Sequence, residues 1–272
     1  MTENASATRA PSAATPAGGG PLLSVNAVSV RFGGIVALDS VSFSVSQGSI
    51  VGLIGPNGAG KTTLFNCLSR LYQPSAGSIA FMGHPLLEEP RHRIAGLGIG
   101  RTFQNLALFP RMSVLDNVMV GMHCRTRSDF VSHAFRLPFA SREEARIRAV
   151  ALEIVDFLGL GGVMYRLATG LPFGTLKRVE LARALACQPK LLLLDEPAGG
   201  LNHEEVSELA SVVRKLKSER HVTVLLVEHH MQLVMQVSDQ VVALNFGRVM
   251  ADGTPAQVQN DPEVIRAYLG SN

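Results

Sequence analysis

Hydrophobic and polar positions along this 272-residue chain fall into several distinct rhythms. The run Ser-Ile-Val-Gly-Leu-Ile at 49–54 is apolar and β-branched, as expected of a strand buried on both faces. Lys-Leu-Leu-Leu-Leu-Asp at 190–195 and Val-Thr-Val-Leu-Leu-Val-Glu at 222–228 read the same way. Between those two, residues 204–217 predict a helix with Val206, Leu209, Val213 and Leu216 on its inner side. After residue 61, Phe65, Leu68 and Leu71 also stand at helical spacing. Buried strands interleaved with helices predict an α/β core with a parallel sheet.

Upstream, short β-type runs between Leu23 and Val51 are broken by Gly33-Gly34 and Gln47-Gly48, predicting a small antiparallel region. Ser-Ile-Ala-Phe-Met-Gly at 78–83 predicts one further strand. From about 105 to 175 the rhythm becomes helical and arginine-rich. Val114, Leu115, Val118 and Met119 share one face, and Ile147, Val150, Ile154, Val155 and Leu158 form a second stripe. This stretch predicts a helical subdomain inserted into the α/β core, with Phe130, Phe135 and Leu137 in its interior. Residues 1–20, rich in Ala, Gly, Pro, Ser and Thr, predict a disordered tail, leaving 21–272 as one unit. No internal repeat is visible.

Composition narrows the function classes. A net charge of +3 is too small to argue for nucleic acid. Cys67, Cys124 and Cys187 are odd in number, widely spaced and lack a CxxC pattern, which suits a reducing compartment and no structural zinc. No apolar run approaches the ~18 residues of a membrane span. The expectation is a soluble, intracellular chain whose membrane work, if any, passes through a partner.

The chemistry centres on Gly55-Pro56-Asn57-Gly58-Ala59-Gly60-Lys61-Thr62-Thr63, set between a predicted strand and a predicted helix. In that context backbone N–H groups and the positive helix end converge on a phosphate. Lys61 can reach the β- and γ-phosphates, and the Thr62 hydroxyl can ligate Mg²⁺. In parallel α/β sheets ligands bind at the carboxyl ends of strands, so Asp195 and Glu196 belong beside this loop. Asp195 can hold Mg²⁺, directly or through water, and Glu196 can orient and deprotonate an attacking water. His229, ending the third apolar strand at the same edge of the sheet, can bond the terminal phosphate and position that water. A His229-His230 metal pair is disfavoured, because adjacent strand residues point to opposite faces.

With these motifs in order, the chain resembles the ATP-binding subunits of ATP-binding-cassette transporters, and among them the ATPases of branched-chain amino acid importers. The resemblance covers everything after the tail. It implies a phosphate-loop NTPase core of the RecA type, with an antiparallel β subdomain at the N-terminus and an inserted helical one. It implies ATP and Mg²⁺ as cofactors and ATP hydrolysis as the reaction. Phe32 would stack on adenine. Gln104, in Arg-Thr-Phe-Gln-Asn-Leu-Ala-Leu-Phe, would contact Mg²⁺ and water and link the site to a membrane subunit. Residues 171–185 occupy the signature that crosses a dimer interface to the partner's γ-phosphate, with Gly174 and Thr175 at the contact, and 199–202 form a dimer-facing loop. The subfamily likeness rests on the wording of residues 101–108, the arginine-rich segment and the tail at 252–270.

Departures from the family pattern lie in the signature. Pro172, Phe173 and Thr175 replace the Ser, first Gly and Gln of Leu-Ser-Gly-Gly-Gln, and proline removes both a hydroxyl and an N–H donor. Asn202 and His230 stand where aspartates are usual. The partners implied are a second cassette (a copy or a related chain), membrane permeases and, through them, a substrate-binding protein outside the membrane. The implied location is the cytoplasmic face of the plasma (inner) membrane. Alternatives left open are an exporter ATPase, a soluble cassette acting without a membrane, and a partner cassette that binds ATP but scarcely hydrolyses it.

Overall fold

The computed structural model describes residues 20–104, 106–125 and 138–269. Strand β1 (Leu23–Phe32) pairs antiparallel with β2 (Ile35–Val45), matching Leu23 to Val45 and Phe32 to Ile35. β3 (Ile50–Ile54) then leads through the glycine-rich loop into α1 (Lys61–Leu68). β4 (Ala76–Phe81) returns along the other edge of β1 and carries the short β5 (His84–Pro85), completing a four-stranded antiparallel sheet.

A six-stranded sheet forms the core. After α2 (Ile94–Leu97) comes β6 (Ile99–Arg101), and then helices α3 (Val114–Val120) and α4 (Pro138–Phe157). Helix α5 (Phe173–Ala186) precedes β7 (Leu191–Asp195), and α6 (His203–Arg220) precedes β8 (Thr223–Val227). The chain ends with α7 (Met231–Val237), β9 (Gln240–Asn245), β10 (Arg248–Gly253), α8 (Pro255–Gln259) and α9 (Pro262–Leu269). Spatial order is β10-β9-β3-β8-β7-β6, parallel throughout except for the β10–β9 hairpin. β3, β7 and β8 are buried at every residue, which explains their unbroken apolar runs: both faces of the sheet are covered.

Two buried clusters lie on the two faces. One joins α3–α9 to the sheet; the other joins the antiparallel sheet and α1 to it. The hydrophobic stripes predicted on α3, α4 and α6 all supply the first cluster, with Val114, Leu115, Val118, Ile154, Val155, Val213 and Leu216 buried.

The helix after the glycine loop is shorter than its periodicity predicts. It stops at Leu68, Arg70 takes a left-handed φ of 58°, and Leu71 is left 37% exposed. The segment between α4 and α5 is largely irregular, with one bridge from Leu167 to Ser113, so helical periodicity overstates the helix content there. Strands β6, β9 and β10 were not among the predicted elements. Phe130, Phe135, Leu137 and residues 1–19 lie outside the described residues.

Candidate active site

The glycine-rich loop depends on conformations that side chains resist. Gly55, Gly58 and Gly60 have φ of 152°, 79° and 102°. A Cβ on Gly55 would sit 2.3 Å from the Leu244 carbonyl oxygen, and one on Gly60 2.6 Å from that of Ala37. The β9–β10 turn braces the loop from behind: Gly247 N–H donates to Ala59 O at 3.1 Å, and Asp39 N–H donates to Gly247 O at 2.8 Å. Ala59 is buried, while Asn57, Gly58 and Thr62 are exposed at the mouth and Pro56 and Thr63 are half-buried.

Lys61 opens α1 and is only 6% exposed. Its Nζ donates to Gly55 O at 2.6 Å and Pro56 O at 3.0 Å, so the ammonium folds over its own loop. Burial lowers its pKa from 10.5, and the charges of Glu196 and Asp195 oppose that shift. Those carboxylates therefore act electrostatically on the loop's cation, as their place at the carboxyl end of β7 requires.

Glu196 is the centre of the acidic end. It adopts φ of +48°, a conformation that non-glycine residues seldom keep without surrounding constraint. Its Oε2 accepts from Gln104 Nε2 at 3.0 Å, and His229 Nδ1 lies 3.4 Å from Oε1. Asp195, 4% exposed, accepts from the Arg101 guanidinium at 2.8 Å. The loop, Asp195, Glu196, Gln104 and His229 thus gather at one end of the sheet.

Phe32 ends β1, is 46% exposed and packs edge-on against Tyr72 at 5.2 Å between ring centroids, leaving aromatic surface open. Gly174 and Thr175 open α5, away from this gathering in their immediate packing. A Cβ on Gly174 would meet Glu205 Oε1 at 2.2 Å, and one on Gly200 would meet Phe173 at 2.8 Å, so the segment sits against the start of α6. There Asn202 caps α6 in a reciprocal capping box with Glu205.

The fit of Mg²⁺ rests on the donor set. Thr62, Gln104 and Asp195 offer hydroxyl, amide and carboxylate oxygens, the hard ligands this ion takes, and the Gln104 amide donates to Glu196 so that its oxygen faces elsewhere. Among the described residues no group of three or more His, Cys, Asp or Glu could hold a metal alone.

Sequence reasoning missed three polar anchors. Glu228, 1% exposed, accepts from the N–H groups of Ala198 (2.7 Å), His229 and His230 (3.1 Å each), fixing the turn that carries His229. Glu180, 2% exposed on α5, accepts from Phe103 N–H at 3.0 Å, beside Gln104. Burial raises its pKa. Arg101 is the third. An acid closing an apolar strand and an arginine after Ile99-Gly100 were the available signals, since buried charges need partners.

A strand, glycine loop and helix facing an acidic strand end define a phosphate-loop NTPase of the α/β class. The chain belongs to the ATP-binding-cassette family: the family described as "ABC transporter" matches residues 38–199, and "Branched-chain amino acid ATP-binding cassette transporter" matches 248–272. It is an ATPase of that family.

The high-affinity branched-chain amino acid transport ATP-binding protein BraF of Pseudomonas aeruginosa is 43% identical over 250 residues, covering 92% of this chain and 98% of BraF. LivG of Escherichia coli K12, described in the same words, is 42% identical with the same coverage. A sulfate/thiosulfate import ATP-binding protein, CysA of Bordetella pertussis, is 38% identical but only 67% of it is covered. The crystal structure of an ABC-transporter cassette in its ADP conformation superposes with a TM-score of 0.80 at 30% identity, covering 92% of this chain and 99% of that one. No helix among the described residues is long and apolar enough to cross a membrane.

Proposed function

We propose that this chain powers uptake of branched-chain or chemically related amino acids through separate membrane permeases. The observation that carries the transport reading is the end-to-end match to BraF and LivG, joined by the match of residues 248–272 to the branched-chain family. CysA, of which a third lies outside the match, supports only the broader class.

ATP binds with its adenine on Phe32 and its phosphates against the amides of residues 55–63. Lys61 exchanges Gly55 O and Pro56 O for phosphate oxygens. Thr62, Gln104 and Asp195 would hold Mg²⁺, and the ion would supply positive charge to screen the phosphates. Glu196 accepts the proton of the attacking water. Gln104 and His229 fix the Glu196 carboxylate from two sides, and His229 also reaches the terminal phosphate.

One chain supplies half of each composite site. Gly174, Thr175 and the start of α5 face the γ-phosphate of a second cassette. With Pro172 unable to donate, the Gly174 N–H and the helix end carry that contact. ATP bridges the closed pair, and hydrolysis removes the bridge.

Affinity isolation of this chain from solubilised native membranes tests the reading. Two distinct permeases and a second cassette, with leucine-stimulated ATPase activity in the reconstituted assembly, are expected. Recovery of a sulfate permease, or of no membrane protein, contradicts it.

A further inference from the structure

Arg101 joins the acidic end of β7 to the phosphate-loop helix, and the reaction as described makes no use of it. One arm of its guanidinium donates to Asp195 Oδ2 at 2.8 Å, with the two side chains only 10% and 4% exposed. The other donates to Asn66 Oδ1 at 3.0 Å and Ser69 Oγ at 2.9 Å, on α1 and at its C-cap. Phe65 and Phe103 flank the group, their ring centroids 5.7 and 5.3 Å from Cζ. A planar fork held by two elements and two rings has one favoured placement, and it imposes one on the carboxylate it grips. Among the described residues the Nε of Arg101 is buried without a partner, so the group's bonds all run through its two outer nitrogens.

The neighbouring residue continues the clamp. Asp195 N–H donates to Thr102 Oγ1 at 3.3 Å, and Thr102 N–H donates to Leu193 O at 3.0 Å. The strand that leads to Gln104 is therefore fastened to Asp195 through side chain and main chain together.

We propose that Arg101 is a positioning residue for the magnesium site: by engaging Oδ2 of Asp195 it reserves the other carboxylate oxygen for the ion, and it ties that carboxylate to α1 and to the segment carrying Gln104. The inference rests on the reading of Asp195 as the metal carboxylate. Lysine at 101 keeps the charge but loses the fork, leaving the carboxylate free to turn.

The test uses the full chain carrying Glu196→Gln, so that turnover is slow beside the measurement, with ATP affinity measured by calorimetry in EDTA and across a Mg²⁺ titration. Arg101→Lys is expected to leave affinity in EDTA within about twofold of its parent and to raise the Mg²⁺ needed for half-saturation about tenfold, as loss of an outer-shell partner does. Asn66→Ala with Ser69→Ala keeps the Asp195 contact but frees the other arm, and is expected to shift the Mg²⁺ requirement the same way by about threefold. A purely structural role would lower the melting temperature and leave the Mg²⁺ requirement unchanged. That result in folded Arg101→Lys, or in the Asn66/Ser69 pair if the lysine variant does not fold, overturns the proposal. Asp195→Asn separates the two failures: if it too leaves the Mg²⁺ requirement unchanged, the assignment of Asp195 is what has failed.

Discussion

Gln104 Nε2 donates to Glu196 Oε2 at 3.0 Å, linking the loop after β6 to the acidic end of β7. The other carboxylate oxygen lies 3.4 Å from His229 Nδ1. A carboxylate bonded at one oxygen, with an imidazole nitrogen beside the other, in a left-handed backbone is aimed, and its oxygens are what a water would meet. Glu196→Gln keeps the shape and removes the basicity. Turnover is expected to fall by about 100-fold or more while ATP affinity stays within about threefold, the size of effect a general base provides. The ATP-bound variant is expected to accumulate as a closed dimer. Single-turnover kinetics and light scattering check both, and undiminished hydrolysis would refute the base assignment.

Glu228 acts on the same centre at one remove. Three amide N–H groups converge on its buried carboxylate, two of them from His229 and His230. Glu228→Ala strands those donors. It is expected to destabilise the fold by about 1–3 kcal/mol and to lower kcat more than it raises KM, because His229 loses its placement. Equal effects on stability and on both kinetic constants would count against this.

The pH response of the loop follows from Lys61. Burial lowers its pKa from 10.5, so between the lowered value and 10.5 the unfolded chain binds more protons than the folded one. For this group, stability of the nucleotide-free protein rises with pH across that window. A bound triphosphate favours the ammonium and raises the pKa again. ATP binding in the alkaline window is therefore expected to take up protons, and affinity to fall as pH rises through it. Calorimetry in buffers of different ionisation enthalpy reads the uptake directly; proton release would contradict the placement of Lys61 against phosphate.

Gly121 closes α3 with φ of −59°, which any residue accepts, yet a Cβ there would lie 2.1 Å from Arg183 O and 2.9 Å from Ala186 Cβ. Gly121→Ala must push α3 away from α5. A loss of about 1–3 kcal/mol is expected, lowering Tm by about 2–4 °C per kcal/mol for a domain of this size. Thermal unfolding followed by circular dichroism checks it, and an unchanged Tm would mean that the two helices separate freely.

Much of the architecture was legible because burial on both faces leaves a plain mark: β3, β7 and β8 are largely apolar runs that lead to the residues of the site. The loop was legible because its glycines and Lys61 are required by geometry. β6 was missed because Ile99–Arg101 is three residues long and ends in a charge, and that charge is the arginine gripping Asp195. Leu71 continued the helical rhythm, but Arg70 turns the chain left-handed first. Glu228 and Glu180 escaped notice because local pattern cannot show which backbone N–H groups a buried acid will serve; those partners lie up to 77 residues away.

Every step of the chemistry depends on triphosphate held by the amides around Lys61. Titration of ATP with Mg²⁺ into the folded Glu196→Gln chain, followed by calorimetry, addresses this without turnover. One ATP per chain, with binding lost in a Lys61→Ala version that keeps its fold, is the predicted result. No heat of binding from the folded parent, or equal binding by both, would contradict it.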